Sequence, residues 1–375
     1  MLGMLPLPFA EVSESSVLNG EEIDAGVREQ TNVNVLRCQR PVELDLPLLN
    51  PSLTFYQHIM ELRFTALFMA IVSGIASITN FSLIYFPELG ALSYEVFKNP
   101  SGKWAKHKWQ LALVPMLTGI VGAACAIYLP YGFASMILSV GLSIAILLVL
   151  RSPIAPAISA GFFPVVLGVD TWWYPMAILG GTSSLALTRY AMDQVQPPAP
   201  LTFDHSEVEP TDDQRNSAPH VGSAIVRLLV FGLLTMAIAN LFDNKLILFP
   251  PLIVIAFELF LHPIDCPWST SLWKLPTTCL ATATIGVLAV ALLGPGVIST
   301  ALTVVLGIVA LKLIRLHIPP AIAVGLIPQI LEGPIHWYPL SVGVGTSILV
   351  AFELASSAML RIYLNKTRVQ FDSQS

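Results

Sequence analysis

The sequence predicts an all-α polytopic membrane protein, built as a tandem parallel repeat with four long spans and two short proline-led helices in each copy. Three observations carry that prediction. Hydrophobic residues make up 54% of the chain and charged residues 11%, with a mean hydropathy of +0.71, whereas soluble domains carry about 25% charged residues. Apolar runs of spanning length recur, with shorter runs set between them. The chain also writes one passage twice.

Residues 151–175 read RSPIAPAISAGFFPVVLGVDTWWYP, and 315–339 read RLHIPPAIAVGLIPQILEGPIHWYP. A shift of 164 positions lays one on the other without a gap. Over the 30 positions 156–185, 13 are identical at 320–349, including Pro156/Pro320, Gly161/Gly325, Pro164/Pro328, Tyr174/Tyr338 and Thr182/Thr346. Such self-similarity at a fixed period is the mark of an internal repeat. The shift also pairs Arg151 with Arg315, Gly122 with Gly286 and Trp109 with Trp273. With a one-residue slip, FPELGALSYEVFKNP (86–100) lies on FPPLIVIAFELFLHP (249–263), and Glu95 meets Glu258.

In chain order, residues 1–60 form an acidic arm with eight acids, expected to be solvated and mobile. It has no charged n-region followed by an apolar stretch, so no cleavable signal peptide is read there. The first repeat covers 61–192, an acidic connector 193–224, the second repeat 225–361, and a tail 362–375.

A helix needs about 20 apolar residues to cross a bilayer. Runs at 64–86, 110–129, 132–150 and 172–191, then 225–242, 275–293, 296–314 and 336–360, meet that length. Between them, 87–97, 154–168, 250–261 and 318–331 fall short and read as half-helices or re-entrant segments. Each short run has proline at its start: Pro87, Pro156, Pro250 with Pro251, and Pro319 with Pro320. Proline suits a first helical turn, where its missing N–H would be unpaired in any case. An even number of crossings per repeat gives both copies the same orientation. With only the long runs counted, Lys98, Lys103, Lys106 and Lys108 fall opposite Arg63, Arg189, Arg227, Arg361, Lys366 and Arg368. Charge then fixes no orientation, and the termini and connector are placed in the cytoplasm because nothing in the arm points to export.

The segment FPELGALSYEVF, with a basic residue and a proline-led short segment after the third span, is similar to the HPP family of membrane proteins. The resemblance covers roughly 64–190 and 225–355, so two family units are fused. The family has members that transport nitrite in cyanobacteria and plastids. The resemblance therefore implies transport of a small monovalent anion, in a cell membrane or a plastid envelope. Where the family writes His-Pro-Pro-Ala, repeat one has Ile154-Ala155-Pro156-Ala157 and repeat two has Ile318-Pro319-Pro320-Ala321, with His317 one position early.

The residues themselves supply the chemistry of such a site. Helix N-termini expose unpaired N–H groups and partial positive charge, which favour an anion. Pro156, Pro319 and Pro320 mark those ends, and Arg151 and Arg315 shortly precede them, where a guanidinium fork can reach an oxygen pair. A snorkelling interfacial arginine is the plainer reading. Glu95 and Glu258 close the first short segments, where a carboxylate marks a pathway or a proton relay or simply a salt bridge such as one to Lys98. His317 and His336 occur in repeat two alone. Trp173-Tyr174 and Trp337-Tyr338 read as aromatic-belt anchors, and Gly181-Thr182-Ser183 and Gly345-Thr346-Ser347 as close helix-packing surfaces.

The implied partners are a small anion, the bilayer, a coupling proton and a second copy of the chain, with no cofactor, metal or nucleic acid. No HExxH motif, GxSxG elbow or phosphate-cradling glycine loop points to an enzyme. Cys38, Cys125, Cys266 and Cys279 lack metal or redox spacing. A non-transporting membrane scaffold is the reading from another class.

Overall fold

The structure is a computed structural model that describes residues 51–195 and 218–372 apart from 264, 265, 332 and 334. Side-chain surroundings are described over 60–195 and 221–359 with the same exceptions. Most of the acidic arm, residues 196–217 of the connector, and Cys38 lie outside the described residues.

Among the described residues there are helices and no strands. In chain order the principal ones are α1 (Pro51–Thr79), α2 (Glu88–Lys98), α3 (Lys108–Tyr128), α4 (Phe133–Val149), α5 (Pro156–Leu167) and α6 (Trp173–Val195). The second half follows with α7 (Ala218–Leu241), α8 (Pro250–Leu261), α9 (Lys274–Leu293), α10 (Val297–Ile314), α11 (Pro320–Leu326) and α12 (Tyr338–Asp372). The described residues from Phe55 onward pack as one unit.

Six of these helices are long and apolar enough to cross a membrane: α1, α3, α7, α9, α10 and α12. The architecture is that of an all-α, polytopic membrane protein. Eight long runs were expected. α4 has 17 residues, about 25 Å at 1.5 Å per residue against a core of about 30 Å. The 23 residues of α6 end in the charged stretch that holds Arg189 and Asp193, and that lowers its apolar content.

Boundaries follow local backbone chemistry. The run expected at 64–86 breaks at Thr79, because Asn80 takes a left-handed conformation with φ 54° and a 3-10 turn over Ser82–Ile84 leads into Pro87. Asp243 (φ 48°) follows α7 in the same way, and Arg151 (φ 47°) and Arg315 (φ 55°) follow α4 and α10. Each of these residues stands just past a helix C-terminus, the position where a left-handed residue stops propagation. The run expected at 318–331 gives a helix only to Leu326, then a 3-10 turn over Ile327–Gln329 containing Pro328. The sequence tail from 362 continues α12 to Asp372.

Lipid-facing surface is visible as stripes. Leu67, Ile71, Ile75 and Ile78 are exposed along α1 while Met69 and Val72 are buried behind them, which is the spacing of one helix face. Ile298, Leu302, Leu306, Val309 and Leu313 form a similar exposed stripe on α10. Trp109 and Trp273, at the starts of α3 and α9, are exposed, as are Trp173 and Trp337 near the starts of α6 and α12. Two exposed aromatic levels, one at each end of the helices, fit the two interfaces of a bilayer.

The interior is made by the short helices. α5 packs on α3 and on α8, and α2 packs on α11. Two of these crossings are very close. A Cβ on Gly122 of α3 would lie 2.2 Å from the Gly161 carbonyl of α5, and one on Gly286 of α9 would lie 1.9 Å from the Gly325 carbonyl of α11. No larger residue fits either crossing.

Candidate functional site

The four short helices have almost no contact with the surroundings. Pro156 through Val166, Pro320 through Leu326, and all of α8 from Pro250 to Phe260 except Glu258 are buried. Thr118, the eleventh of the 21 residues of α3, donates its hydroxyl to the Ala157 carbonyl at 2.6 Å. The start of α5 therefore sits about halfway along α3. Leu89, at the start of α2, contacts the site of Gly181 in the middle part of α6. Two short helices thus begin inside the bundle.

Their starts do not expose the free N–H groups expected for an anion. In α5, Ala157 and Ile158 donate to the Ile154 and Ala155 carbonyls at 3.1 and 3.0 Å. In α11, Ala321 and Ile322 donate to Ile318 and Pro319, and in α8 Leu252 donates to Phe249, each at 3.0 Å. Pro156, Pro250, Pro251, Pro319 and Pro320 have no N–H to offer. Tight turn bonds and prolines together use up the donors that a helix start normally leaves over. What these prolines achieve is a helix start that is satisfied without water.

The start of α2 differs. Glu88 is 1% exposed, and its Oε1 accepts the Ser159 hydroxyl of α5. Its Oε2 has no partner. Phe86 and Tyr174 are packed edge to face beside it, with Tyr174 stacked on Phe163 at 5.8 Å. Glu88 was overlooked in the sequence because it lies inside the proline-led segment as one letter of FPELG. The signal available was the slipped alignment, which sets Glu88 opposite Pro251.

A second polar group joins the two halves at the end of the bundle where α2 and α10 finish. His317 Nε2 lies 2.7 Å from Glu95 Oε2, and His317 Nδ1 lies 2.9 Å from Lys98 Nζ. A lysine ammonium has donors only, so Nδ1 accepts, the ring proton sits on Nε2, and Nε2 donates to Glu95. Asn99 donates to the other oxygen of Glu95 at 2.5 Å, and Lys312 of α10 pairs with Glu61 of α1. Of the residues singled out in the sequence, the structure brings together Glu95 and His317. Glu258 instead pairs with His262, the residue just past the end of its own helix, 3.0 Å from its Nδ1.

Arg151 and Arg315 lie at the same end of the bundle, exposed, in the left-handed position that closes α4 and α10. They are outside the buried helix starts. Tyr174 and Tyr338, expected in the aromatic belt, are each 1% exposed and donate to the Ala160 and Val324 carbonyls at 2.9 Å. Trp173 and Trp337 beside them are exposed. Adjacent residues on a helix point to different faces, so the pair divides between lipid and core. His336 is exposed, with its ring centroid 5.4 Å from that of Trp337.

Among the described residues, the end that carries Glu95 and His317 collects nearly all the charge. Lys108, at the start of α3, is 2.5 Å from Asp193 at the end of α6. Arg227 near the start of α7 is 2.5 Å from Glu353 of α12. α2 returns the chain to this end, so Lys98, Lys103, Lys106 and Lys108 stand with Arg63, Arg189 and Arg227 rather than opposite them. Among the described residues, Lys245 is the one lysine or arginine at the far end. There it covers the Tyr131 ring at 4.6 Å, beside a cavity of about 310 Å³ that Asp170 and Pro164 also line. The Tyr131 hydroxyl is buried without a partner.

Cys125, Cys266 and Cys279 are buried free thiols. No group of three or more histidine, cysteine or acidic side chains among the described residues is placed to hold a metal. Compared with protein-family models, with curated proteins and with solved structures, the chain finds no match in any of the three.

Proposed function

We propose that the protein is a membrane transporter of a small monovalent anion, nitrite or a similar oxyanion, and a tandem of two HPP-like units. The observation that carries the reading is the set of enclosed short helices. α5 and α2 begin near the middle of the bundle, and broken helices at mid-depth, lining the junction of two repeats, are how many secondary transporters build a site. Irregular backbone at that depth is tolerated where protein or a cavity surrounds it.

The tandem reading is supported by contacts that recur 164 residues apart. Tyr174–Ala160 and Tyr338–Val324 are both 2.9 Å, and Gly122–Gly161 and Gly286–Gly325 make equally close crossings. Each half then holds four longer helices and two short ones in the same order. Both halves then enter from the same side, and the lysine and arginine excess at that side supports a cytoplasmic location for it. Arg151, Arg315, Lys98 and Lys312 surround the cytoplasmic mouth, and the cavity at Lys245 is the opposite mouth. Within this reading Pro156, Pro319 and Pro320 shape the path, and His317 with Glu95 and Lys98 holds the halves in register.

The test is uptake by proteoliposomes offered nitrite, nitrate, formate and bicarbonate in turn. Accumulation of at least one anion is expected. Folded protein that moves none of them ends the transporter reading in favour of a non-transporting scaffold.

A further inference from the structure

Glu88 is unlike every other buried or half-buried acid described in the structure. Glu61, Glu95, Asp193, Glu258 and Glu353 each have a cationic or histidine partner at the cytoplasmic end. None of the ion pairs described in the structure includes Glu88. It is 1% exposed, at the point where α2 begins inside the bundle, with the Ser159 hydroxyl on Oε1 and nothing on Oε2. A carboxylate sealed in an apolar interior without a counter-charge is costly, and the cost is relieved by binding a cation small enough for the space. Oε2 is the open position. Among the described residues, no group of three or more histidine, cysteine or acidic side chains is placed there to hold a metal ion.

The second half carries no such group, since Pro251 stands opposite Glu88 and Ala323 opposite Ser159. Among the described residues, Glu88 is therefore the one buried carboxyl of this kind. We propose that Glu88 is a proton-binding site at the centre of the protein, loaded on Oε2 while Ser159 holds Oε1, and that it couples anion movement to protons. The order of binding follows from the donors. The short-helix starts around it have used up their N–H groups, so an approaching anion meets a negative carboxylate until a proton arrives. Once protonated, the carboxyl is neutral and offers an O–H donor. Proton binding thus comes before anion binding. The coupling half of this proposal rests on the transporter reading, and the proton-binding half does not.

Infrared difference spectroscopy on purified protein, between acid and alkaline pH, tests proton binding without any transport. The expected result is a protonated-carboxyl C=O band in the wild type that is lost in Glu88→Gln. Ser159→Ala removes the hydrogen bond to the C=O oxygen and should move the same band to higher frequency. A band unchanged in Glu88→Gln, or unmoved in Ser159→Ala, overturns the site. Glu88→Asp, which keeps an acid, should retain a band at a shifted position, and it serves as the test where Gln does not fold.

Coupling is read in proteoliposomes. Glu88→Gln should lose accumulation driven by an inward proton gradient, and its nitrite exchange should lose the pH dependence that the wild type shows. Gradient-driven accumulation equal to wild type, or accumulation driven by a sodium gradient in its place, overturns the coupling. Absence of exchange in the wild type itself counts against the transporter reading and leaves the infrared result standing.

Discussion

His317 lies 2.7 Å from Glu95, although 222 positions separate them. One follows α10 and the other belongs to α2, so this bond and the neighbouring one to Lys98 tie the two halves at the basic end of the bundle. His317→Ala leaves Lys98 without its hydrogen-bond acceptor and Glu95 with Asn99 as its remaining hydrogen-bond partner. Stranding partly buried polar groups costs about 1–3 kcal/mol, so a lower melting temperature in detergent is expected. His262→Ala breaks a pair within one helix, of the kind worth about 0.3–0.5 kcal/mol. Equal losses in the two variants would mean that the bond between halves carries no special weight.

The glycine crossings make a sharper contrast. Gly286→Ala places a methyl against the fixed Gly325 carbonyl, and Gly122→Ala does the same at Gly161. Overpacking of this sort costs roughly 1–3 kcal/mol or more. Gly307 lies in α10 with nothing within 4 Å of an added Cβ, so Gly307→Ala should be neutral or slightly stabilising, since alanine favours helix. Thermal unfolding of the three variants side by side checks the order.

Arg151 and Arg315 distinguish a deep anion site from a mouth. A charge-assisted bond in a closed cavity is worth about 1.5–3 kcal/mol, whereas an exposed charge contributes about 0–1 kcal/mol. Both guanidinium groups are exposed. Arg151→Gln and Arg315→Gln should therefore weaken apparent anion affinity by no more than about fivefold at low salt, with the difference fading as salt is raised. A much larger, salt-independent loss would put the arginines in the binding site itself.

Orientation is checked by labelling. Single cysteines at Lys106 and at Asp243 stand at opposite ends of the bundle by the course of α2 and α7. In whole cells an impermeant thiol reagent should reach position 243 and leave 106 unlabelled until the membrane is opened. The reverse pattern would place the basic end outside.

Much of the fold was legible because its causes are local. Apolar run lengths gave the long helices, and prolines at 87, 156, 250 and 320 gave the short ones, since a residue without an N–H stops one helix and suits the first turn of the next. Ends were misjudged where a left-handed residue such as Asn80 closed a helix inside an apolar run, because hydropathy does not register a backbone angle.

The site is another matter. The sequence by itself determined that short helices, arginines, carboxylates and one histidine stand near the spans of a membrane protein. Which of them meet was decided by the tertiary structure. Packing of α2 on α11 brought Glu95 to His317, and the meeting of α2 with α5 set Glu88 on Ser159 in the interior. The same packing left Arg151 and Arg315 outside, and turned α2 back so that its lysines joined the other basic residues. The physical reason is that burial and charge pairing depend on distances between segments far apart in the chain. Proline and hydropathy act on the residue that carries them, while a carboxyl becomes a proton site only when its neighbours have removed water and left one oxygen unmatched.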